Sequence, residues 1–154
     1  MDVSFCDKWF RYQKKIIGPL SWKKAKKMDE KGKSYTVIIG NQMHPYCFIE
    51  VGLGCYGVRF LDEMKREYLS YTFEEQEDGM LFLIEAIYRK FDGESDTVTN
   101  GEVYWFSTDG TVKIDKSKPT SEKAVILEKK ADVSKNWEKK PEFGKYENLI
   151  KKDR

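Results

Sequence analysis

Short apolar runs separated by polar turn residues dominate the chain from Ser34 onward. The runs are rich in β-branched and aromatic residues, and Gly, Pro, Asn and Asp lie between them, which is typical of β-strands joined by tight turns. We therefore expect a mostly antiparallel sheet. The predicted strands are residues 35–39, 46–51, 55–61, 67–73 and 124–127, together with a hairpin formed by 102–106 and 111–114.

Residues 74–91 depart from this pattern and predict the main helix. Thr72 and Glu75 have the spacing of a capping box, and acidic residues precede the apolar positions, as the helix dipole favours. The apolar positions recur at three- and four-residue steps, which is the spacing of one helix face. We expect that face to pack on the sheet through Met80, Leu81, Leu83, Ile84, Ile87, Tyr88 and Phe91.

A shorter, basic helix is predicted near residues 21–30. Ser21 can act as its N-cap, and Trp22, Ala25 and Met28 follow at helical spacing. Most remaining positions are lysine, which is typical of a solvated helix face. A lysine stripe that binds nucleic acid is the alternative, although no arginine or stacking aromatic is interleaved with Lys23, Lys24, Lys26 and Lys27.

Together these elements define an α+β fold in a single domain, residues 1–154. The main helix, at about 74–91, would pack on a mostly antiparallel sheet of about six or seven strands. The domain divides into a basic N-terminal segment at 1–33, a body of sheet and helix at 34–130, and a docked C-terminal tail at 131–154. We expect the tail to fray beyond Ile150.

The composition fits one globular domain. Of the 154 residues, 14% are aromatic, so large apolar side chains suffice to build a core although 35% of the residues are charged. No apolar run approaches the roughly 20 residues of a membrane-spanning helix, and the first residues lack the basic-then-apolar order of a signal peptide. We expect a cytoplasmic protein without membrane contact.

Charge is sorted by position along the chain. Residues 1–40 carry ten Lys or Arg against four Asp or Glu, whereas residues 62–102 carry four against twelve. Residues 113–154 are basic again, with thirteen against eight, and the net charge of the whole chain is only +2. A fold that keeps these blocks on separate faces would present an acidic patch, which favours binding of a charged partner.

Catalytic chemistry has little support in the sequence. His44 is the only histidine, and the thiols are Cys6, Cys47 and Cys55. Cysteines within strand patterns are most often small buried apolar residues, and the spacing of these side chains is not a recurrent zinc pattern. No glycine-rich phosphate motif precedes a helix. We expect no enzyme activity, no cofactor and no metal, and we keep an enzyme that uses Cys47 or Cys55 with His44 as an alternative.

Several segments carry a resemblance to a known group of proteins: 71–75 leading into 79–87, then 103–106 with 109–110, then 136–138 with 141–146. In size, pattern of residue types and order of elements, residues 35–150 resemble small cytosolic immunity proteins of bacterial polymorphic toxin systems, including those of contact-dependent growth inhibition. The resemblance implies a non-enzymatic protein that neutralises a cognate toxin domain, commonly a nuclease, by stoichiometric binding. Such proteins are often acidic overall, and here only the middle third of the chain is acidic.

If this resemblance holds, the acidic block is the candidate surface for a basic toxin domain. An acidic face can occupy the cleft that binds phosphates in a nuclease. Partly exposed tyrosine and tryptophan would add anchors, since these residues dominate interface hot spots. The candidate partner-binding residues are Glu74, Glu75, Glu77, Asp78, Asp92, Glu94, Asp96, Tyr68, Tyr71, Tyr104 and Trp105.

A nucleic-acid-binding module is the second hypothesis. It would use the basic blocks at the two ends of the chain, including the lysines at 23–27 together with Lys139 and Lys140. We rank nucleic acid below a protein as the partner. The sequence does not predict an oligomeric state.

Overall fold

The computed structural model of the chain describes residues 1–116 and 126–154. These residues form eleven β-strands, one α-helix and a short 3-10 turn at Ser134–Asn136. The bounds are β1 Val3–Phe10, β2 Lys15–Leu20, α1 Trp22–Glu30, β3 Tyr35–Gly40, β4 Pro45–Gly52, β5 Cys55–Leu61, β6 Glu67–Glu75, β7 Leu81–Phe91, β8 Val98–Phe106, β9 Thr111–Asp115, β10 Ile126–Lys130 and β11 Trp137–Glu138.

The strands form one antiparallel sheet in the order β10-β9-β8-β7-β6-β5-β4-β3-β1-β2, and the short β11 pairs beside β7. Strands β3 to β10 are a meander, so each pairs with the next along the chain. Within the described residues β10 is an edge strand, and all five of its residues are exposed. The predicted antiparallel meander is present, but it is larger than the predicted six or seven strands. Of the predicted strand at 124–127, residues 124–125 lie outside the described residues.

The predicted main helix at 74–91 is wrong, and so is the expected α+β fold class, because the described residues form an eleven-stranded sheet with one short helix. Residues 74–75 end β6, a turn follows, and β7 occupies Leu81–Phe91. A β-bulge explains the misleading period, because Thr72 pairs with Glu85 and Phe73 with Leu83, which leaves Ile84 as an extra residue. The buried positions Leu83 and Ala86 therefore stand three residues apart, as on a helix face, although the chain is extended.

Strand β7 is also buried on both faces at its start, which hides the alternation that identifies a strand. Leu81 and Leu83 belong to the main core, whereas Phe82 between them belongs to a separate cluster with Val112 and Trp137. Because both faces carry apolar side chains, the sequence of this segment is a continuous apolar run without the alternation of a half-buried strand. Tertiary packing therefore decides the conformation of this segment.

Helix α1 and the C-terminal tail cover one face of the sheet. Ser21 caps the helix by accepting a 3.1 Å hydrogen bond from the Lys24 amide, so the predicted short helix is confirmed. Ala25 is fully buried against the sheet. From the tail, Tyr146 and Leu149 enter the same core, where they join residues of β3 to β7. This face holds the main core of the protein.

The end of the chain is held in place beyond Ile150, where we expected fraying. The Arg154 side chain is only 7% exposed, forms a 3.0 Å ion pair with Glu138, and lies over the Phe73 ring at 4.8 Å. The Lys152 carbonyl accepts a 2.6 Å hydrogen bond from the Tyr71 hydroxyl. These contacts fix the last residues to the core face of the sheet.

The β1–β2 hairpin folds across the opposite face. Pairing between β1 and β3 ends at Cys6 and Thr36, after which the hairpin continues alone through Phe10 and Lys15. Trp9 stacks on Phe48 at 5.7 Å, on the side of the sheet away from α1. The tip of the hairpin therefore reaches the far end of the sheet, where the β5–β6 turn and the β7–β8 loop lie.

Candidate protein-binding surface

The acidic candidates fall into two groups at opposite ends of β7. Residues 74–78 lie at the turn before this strand, and Asp92, Glu94 and Asp96 lie in the loop after it. The strand has 11 residues, which corresponds to roughly 33 Å of extended chain. The expected single acidic face is therefore two separate acidic sites, and one partner site can include both only if it spans the whole sheet.

The group at the β6–β7 turn is the more exposed. Glu74, Glu77 and Asp78 are exposed, and within residues 1–116 and 126–154 none of them has a cationic partner within 4 Å. Glu75 is different, because its carboxylate forms a 3.3 Å ion pair with Lys140 from the second basic block. The turn is closed by a 2.9 Å hydrogen bond from the Gly79 amide to the Gln76 carbonyl. Three carboxylates without a cationic partner among the described residues thus lie at a closed turn, and one of them, Asp78, accepts a 2.9 Å hydrogen bond from the Met80 amide.

An exposed leucine lies at the same end of the sheet as these carboxylates. Leu53, in the β4–β5 turn, is 94% exposed and has a φ of 54°, a left-handed conformation that is costly for a branched side chain. The Glu75 amide donates a 2.8 Å hydrogen bond to the Gly54 carbonyl, which ties the two turns together. We define the turn surface as Leu53, Glu74, Glu77 and Asp78.

The β7–β8 loop carries the second acidic group, which is partly neutralised. Asp96 forms a 2.8 Å ion pair with Lys14 at the tip of the β1–β2 hairpin. Arg66 donates to the carbonyls of Gly93 and Ser95, each at 2.8 Å, so a guanidinium lies against the loop. Asp92 and Glu94 remain exposed. Adjacent cations make this loop a weaker attractor of a basic partner than the turn surface.

The aromatic candidates do not share one surface. Tyr71 is fully buried in the core, and half-buried Tyr68 has its ring 5.2 Å from the Lys152 ammonium. Tyr104 and Trp105 are consecutive in β8, so their side chains point to opposite faces. Trp105 is 36% exposed and donates a 3.1 Å hydrogen bond to Glu85. Only Trp105 has the exposure that an interface anchor needs, and it lies away from the acidic turn.

Tyr104 is half-buried. Its hydroxyl donates a 2.8 Å hydrogen bond to Glu102. Desolvation and this hydrogen bond raise the pKa of Tyr104 to about 12. The hydroxyl therefore stays protonated at neutral pH and serves the packing of β8.

The thiols lack the features of a nucleophile. Cys6 and Cys47 are fully buried. Burial raises the pKa of Cys6 to about 11 and raises the pKa of Cys47 as well. Burial also raises the pKa of the half-buried Cys55, and the nearby Glu74 carboxylate adds to that rise. A catalytic cysteine needs a lowered pKa, so this observation argues against the cysteine-dependent alternative.

The basic blocks are divided between exposed and paired side chains. The four lysines of α1 at 23–27 are exposed, as the sequence predicts for a solvated helix face, and Lys140 is occupied by Glu75. Across the described ranges, no group of three or more His, Cys, Asp or Glu side chains is arranged to hold a metal ion. In the same part of the chain, no helix combines the length and apolar character needed to cross a bilayer.

Sequence reasoning missed Leu53, although the sequence carries a signal for it. Leu53 stands between Gly52 and Gly54, and an apolar residue enclosed by two glycines at a turn has no strand neighbours to bury it. Sequence reasoning also missed the basic pocket under the β1–β2 hairpin, since its residues come from four distant segments. No protein-family model matches the chain, and comparisons with curated proteins and with solved structures likewise find no match.

Proposed function

We propose that this chain is an immunity protein that neutralises a cognate bacterial toxin domain in the cytoplasm by stoichiometric binding. The observation that carries the proposal is the turn surface, where a strained, 94% exposed leucine lies at the same end of the sheet as three carboxylates that have no cationic partner among the described residues. The resemblance of residues 35–150 to immunity proteins supports the same function. The inhibitor acts by occupying the toxin and carries out no reaction.

The charge of the turn surface fits a nuclease as the toxin. A nuclease binds phosphates with a cationic cleft, and carboxylates at the same spacing can occupy that cleft and exclude the nucleic acid. Glu74, Glu77 and Asp78 would speed association by attraction, while Leu53 would supply the apolar contact that slows dissociation. The partner is thus a basic protein with a small apolar pocket beside its phosphate cleft.

The rigidity of the two turns favours tight binding. Both are short connections between long paired strands, and the Glu75–Gly54 hydrogen bond fixes one turn to the other. A surface that is already ordered loses little conformational entropy when a partner binds. The left-handed φ of Leu53 keeps the side chain in solvent instead of against the protein.

The test is a titration of the toxin domain encoded beside this chain's own gene. We expect its activity on nucleic acid to fall to zero at one equivalent of the protein. The double variant Glu77→Lys/Asp78→Lys should slow association at least about tenfold at low salt, and Leu53→Asp should speed dissociation. A matched variant at the other acidic site, Asp92→Lys/Glu94→Lys, should leave both rates within about twofold.

Two results would contradict the proposal. One is loss of toxin activity at far less than one equivalent, which would indicate catalytic destruction of the toxin. The other is unchanged binding in both turn-surface variants, since the charge and the leucine would then have no part in the interface. Circular dichroism of each variant establishes that the comparison is made between folded proteins.

A further inference from the structure

A second site lies at the opposite end of the sheet, under the tip of the β1–β2 hairpin. There the hairpin, the β5–β6 turn and strands β7 and β8 enclose a pocket of about 330 Å³. This volume is at the lower end of the range for small-molecule sites. The pocket is lined by Trp9, Arg11, Lys14, Lys65, Arg66, Glu67, Arg89, Phe91, Asp96 and Val98.

The lining is cationic. It holds five Lys or Arg side chains against two carboxylates. Glu50 and Asp62, which pair with Arg11 and Arg66, reduce the surplus to one positive charge. Like charges gathered in a concave site repel one another, so a bound anion would relieve that repulsion. Three separate segments of the chain contribute these cations, and the fold alone brings them together.

Three of the five cations already have close acceptors. Arg11 forms ion pairs of 2.8 Å with Glu50 and 2.6 Å with Glu67. Lys14 reaches Asp96 at 2.8 Å, and Arg66 reaches Asp62 at 2.8 Å. These pairs build the walls of the pocket and hold the hairpin tip in place. Arg11, Lys14 and Arg66 are therefore not the cations of the pocket that lack a partner.

Arg89 and Lys65 are less well satisfied. The two hydrogen bonds of the half-buried Arg89 guanidinium are long, 3.4 Å to the Glu67 carbonyl and 3.3 Å to the Ser70 hydroxyl. Within the described residues no carboxylate lies within 4 Å of Arg89 or Lys65, and Lys65 donates only to the Lys14 carbonyl at 3.0 Å. A guanidinium carries five donors, so Arg89 has capacity for an acceptor that the protein does not supply.

We propose that this pocket binds a small phosphorylated organic molecule, with its phosphate at Arg89 and Lys65. Guanidinium and ammonium groups form charge-assisted hydrogen bonds with phosphate oxygens, and the planar guanidinium can bind two of them. Phe91 and Val98 supply the apolar wall for the organic part. The Arg66 guanidinium lies 4.7 Å from the centre of the Phe91 ring, so only the edge or the other face of that ring can contact a ligand. Trp9 is 4% exposed and stacked on Phe48, so it closes the pocket without offering a free ring face.

The two carboxylates of the lining limit where the phosphate can lie. Glu67 is paired with Arg11 and Asp96 with Lys14, which neutralises much of their repulsion toward an anion. The phosphate would therefore bind Arg89 and Lys65, the two cations of the lining that have no carboxylate partner among the described residues. The site is independent of the proposed toxin inhibition, because the turn surface is at the other end of β7.

Isothermal titration calorimetry of the full chain at low salt tests the proposal, with ribose 5-phosphate, AMP and inorganic phosphate as probes. Ribose and adenosine serve as the uncharged counterparts. We expect at least one of the two organic phosphates to bind with one site per chain, more tightly than its uncharged counterpart and more tightly than inorganic phosphate. Arg89→Gln and Lys65→Gln should each weaken that binding about tenfold or more.

Lys113→Gln is the matched control, since it removes an exposed cation of β9 outside the pocket. It should leave the affinity within about twofold. Should Arg89→Gln fail to fold, Arg89→Lys retains the charge but loses the planar fork, and it should still weaken binding. Three results would overturn the proposal. The first is equal affinity for the phosphorylated probes and their uncharged counterparts, and the second is equal affinity for inorganic phosphate and both organic phosphates. The third is unchanged binding in the Arg89 variant that folds.

Discussion

The Lys152 ammonium group lies 5.2 Å from the centre of the Tyr68 ring, which joins the end of the chain to strand β6. The rings of Tyr46 and Phe60 lie 4.8 and 5.9 Å from the same nitrogen. Three aromatic rings thus surround one cation. A cation near an aromatic ring is stabilised by about 0.5–1 kcal/mol where solvent reaches it, and by more where it does not.

Replacing this lysine should destabilise the protein. We expect Lys152→Gln to lower the free energy of unfolding by about 1 kcal/mol, because the cation is lost while most of the side-chain length remains. Urea denaturation measures the change. Lys151→Gln is the matched control, since Lys151 is exposed and lies outside these ring contacts, and it should have no effect. Equal effects of the two substitutions would show that the rings do not hold the cation.

The same group predicts a pH dependence. The hydrogen bond with Tyr68 is the main cause that raises the pKa of Lys152 above its ordinary value. The stability that the charged Lys152 side chain contributes is therefore fully present below the pKa of the unfolded lysine, about 10.4. This stability is lost as the pH rises through the higher pKa of Lys152 in the folded protein. The stability difference between the wild type and Lys152→Gln should shrink above that pH. A difference that stays constant up to the highest accessible pH would contradict this explanation.

Gly144 should tolerate no side chain. Its φ is 88°, and a Cβ there would lie 2.6 Å from the Trp22 ring, which packs edge-on against both rings of the stacked Phe5–Phe143 pair. Gly144→Ala should therefore cost more than about 2 kcal/mol, from both backbone strain and overpacking. Gly79→Ala is the control, because Gly79 has a φ of 80° but open space around it. If thermal or urea unfolding gave the two variants the same stability, the Trp22 contact would not matter.

Substitutions at two leucines distinguish a residue that stabilises the fold from one proposed to bind a partner. Leu149 is fully buried in the main core, and Leu149→Ala should cost about 2–5 kcal/mol of unfolding free energy. Leu53 is 94% exposed, and Leu53→Ala should change the stability by less than about 0.5 kcal/mol. Chemical denaturation gives both values. A large loss of stability in Leu53→Ala would assign that side chain to the fold and remove it from the turn surface.

Thiol reactivity should follow burial. In the native protein a thiol-reactive disulfide reagent at pH 8 should modify the half-buried Cys55 and leave Cys6 and Cys47 intact for as long as the protein stays folded. In denaturant all three should react. Mass spectrometry of the modified protein identifies the sites. Rapid native modification of Cys47 would show that strand β4 opens readily or that this thiol is activated.

The strands and the short helix could be predicted because their signals are local. Ser21 caps α1 as its position suggests, and the β-branched runs at 35–39 and 46–51 lie in strands. Strand β7 could not be predicted, because the bulge at Ile84 and burial on both faces imitate a helical period. A register shift between paired strands is a property of the assembled sheet, and the pattern of apolar and polar residues along the sequence does not contain it.

The binding surfaces were harder to predict than the strands. The carboxylates at 74–78 are evident in the sequence, but their separation from Asp92 follows only once β7 is known to be extended. The pocket around Arg89 depends on the β1–β2 hairpin crossing the sheet, which joins residues more than 70 positions apart. The sorting of charge along the chain is the basis for proposing a charged partner, and only the fold shows how the charges divide.

The fully exposed strand β10 has a consequence for how the protein behaves at high concentration. The opposite edge strand, β2, carries Pro19, whose missing amide hydrogen discourages further pairing, whereas β10 has no proline among its five residues. Ile126 and Leu127 lie there in solvent, followed by Glu128, Lys129 and Lys130. These charged side chains disfavour edge-to-edge pairing with a second molecule, because a strand added there would remove water from them.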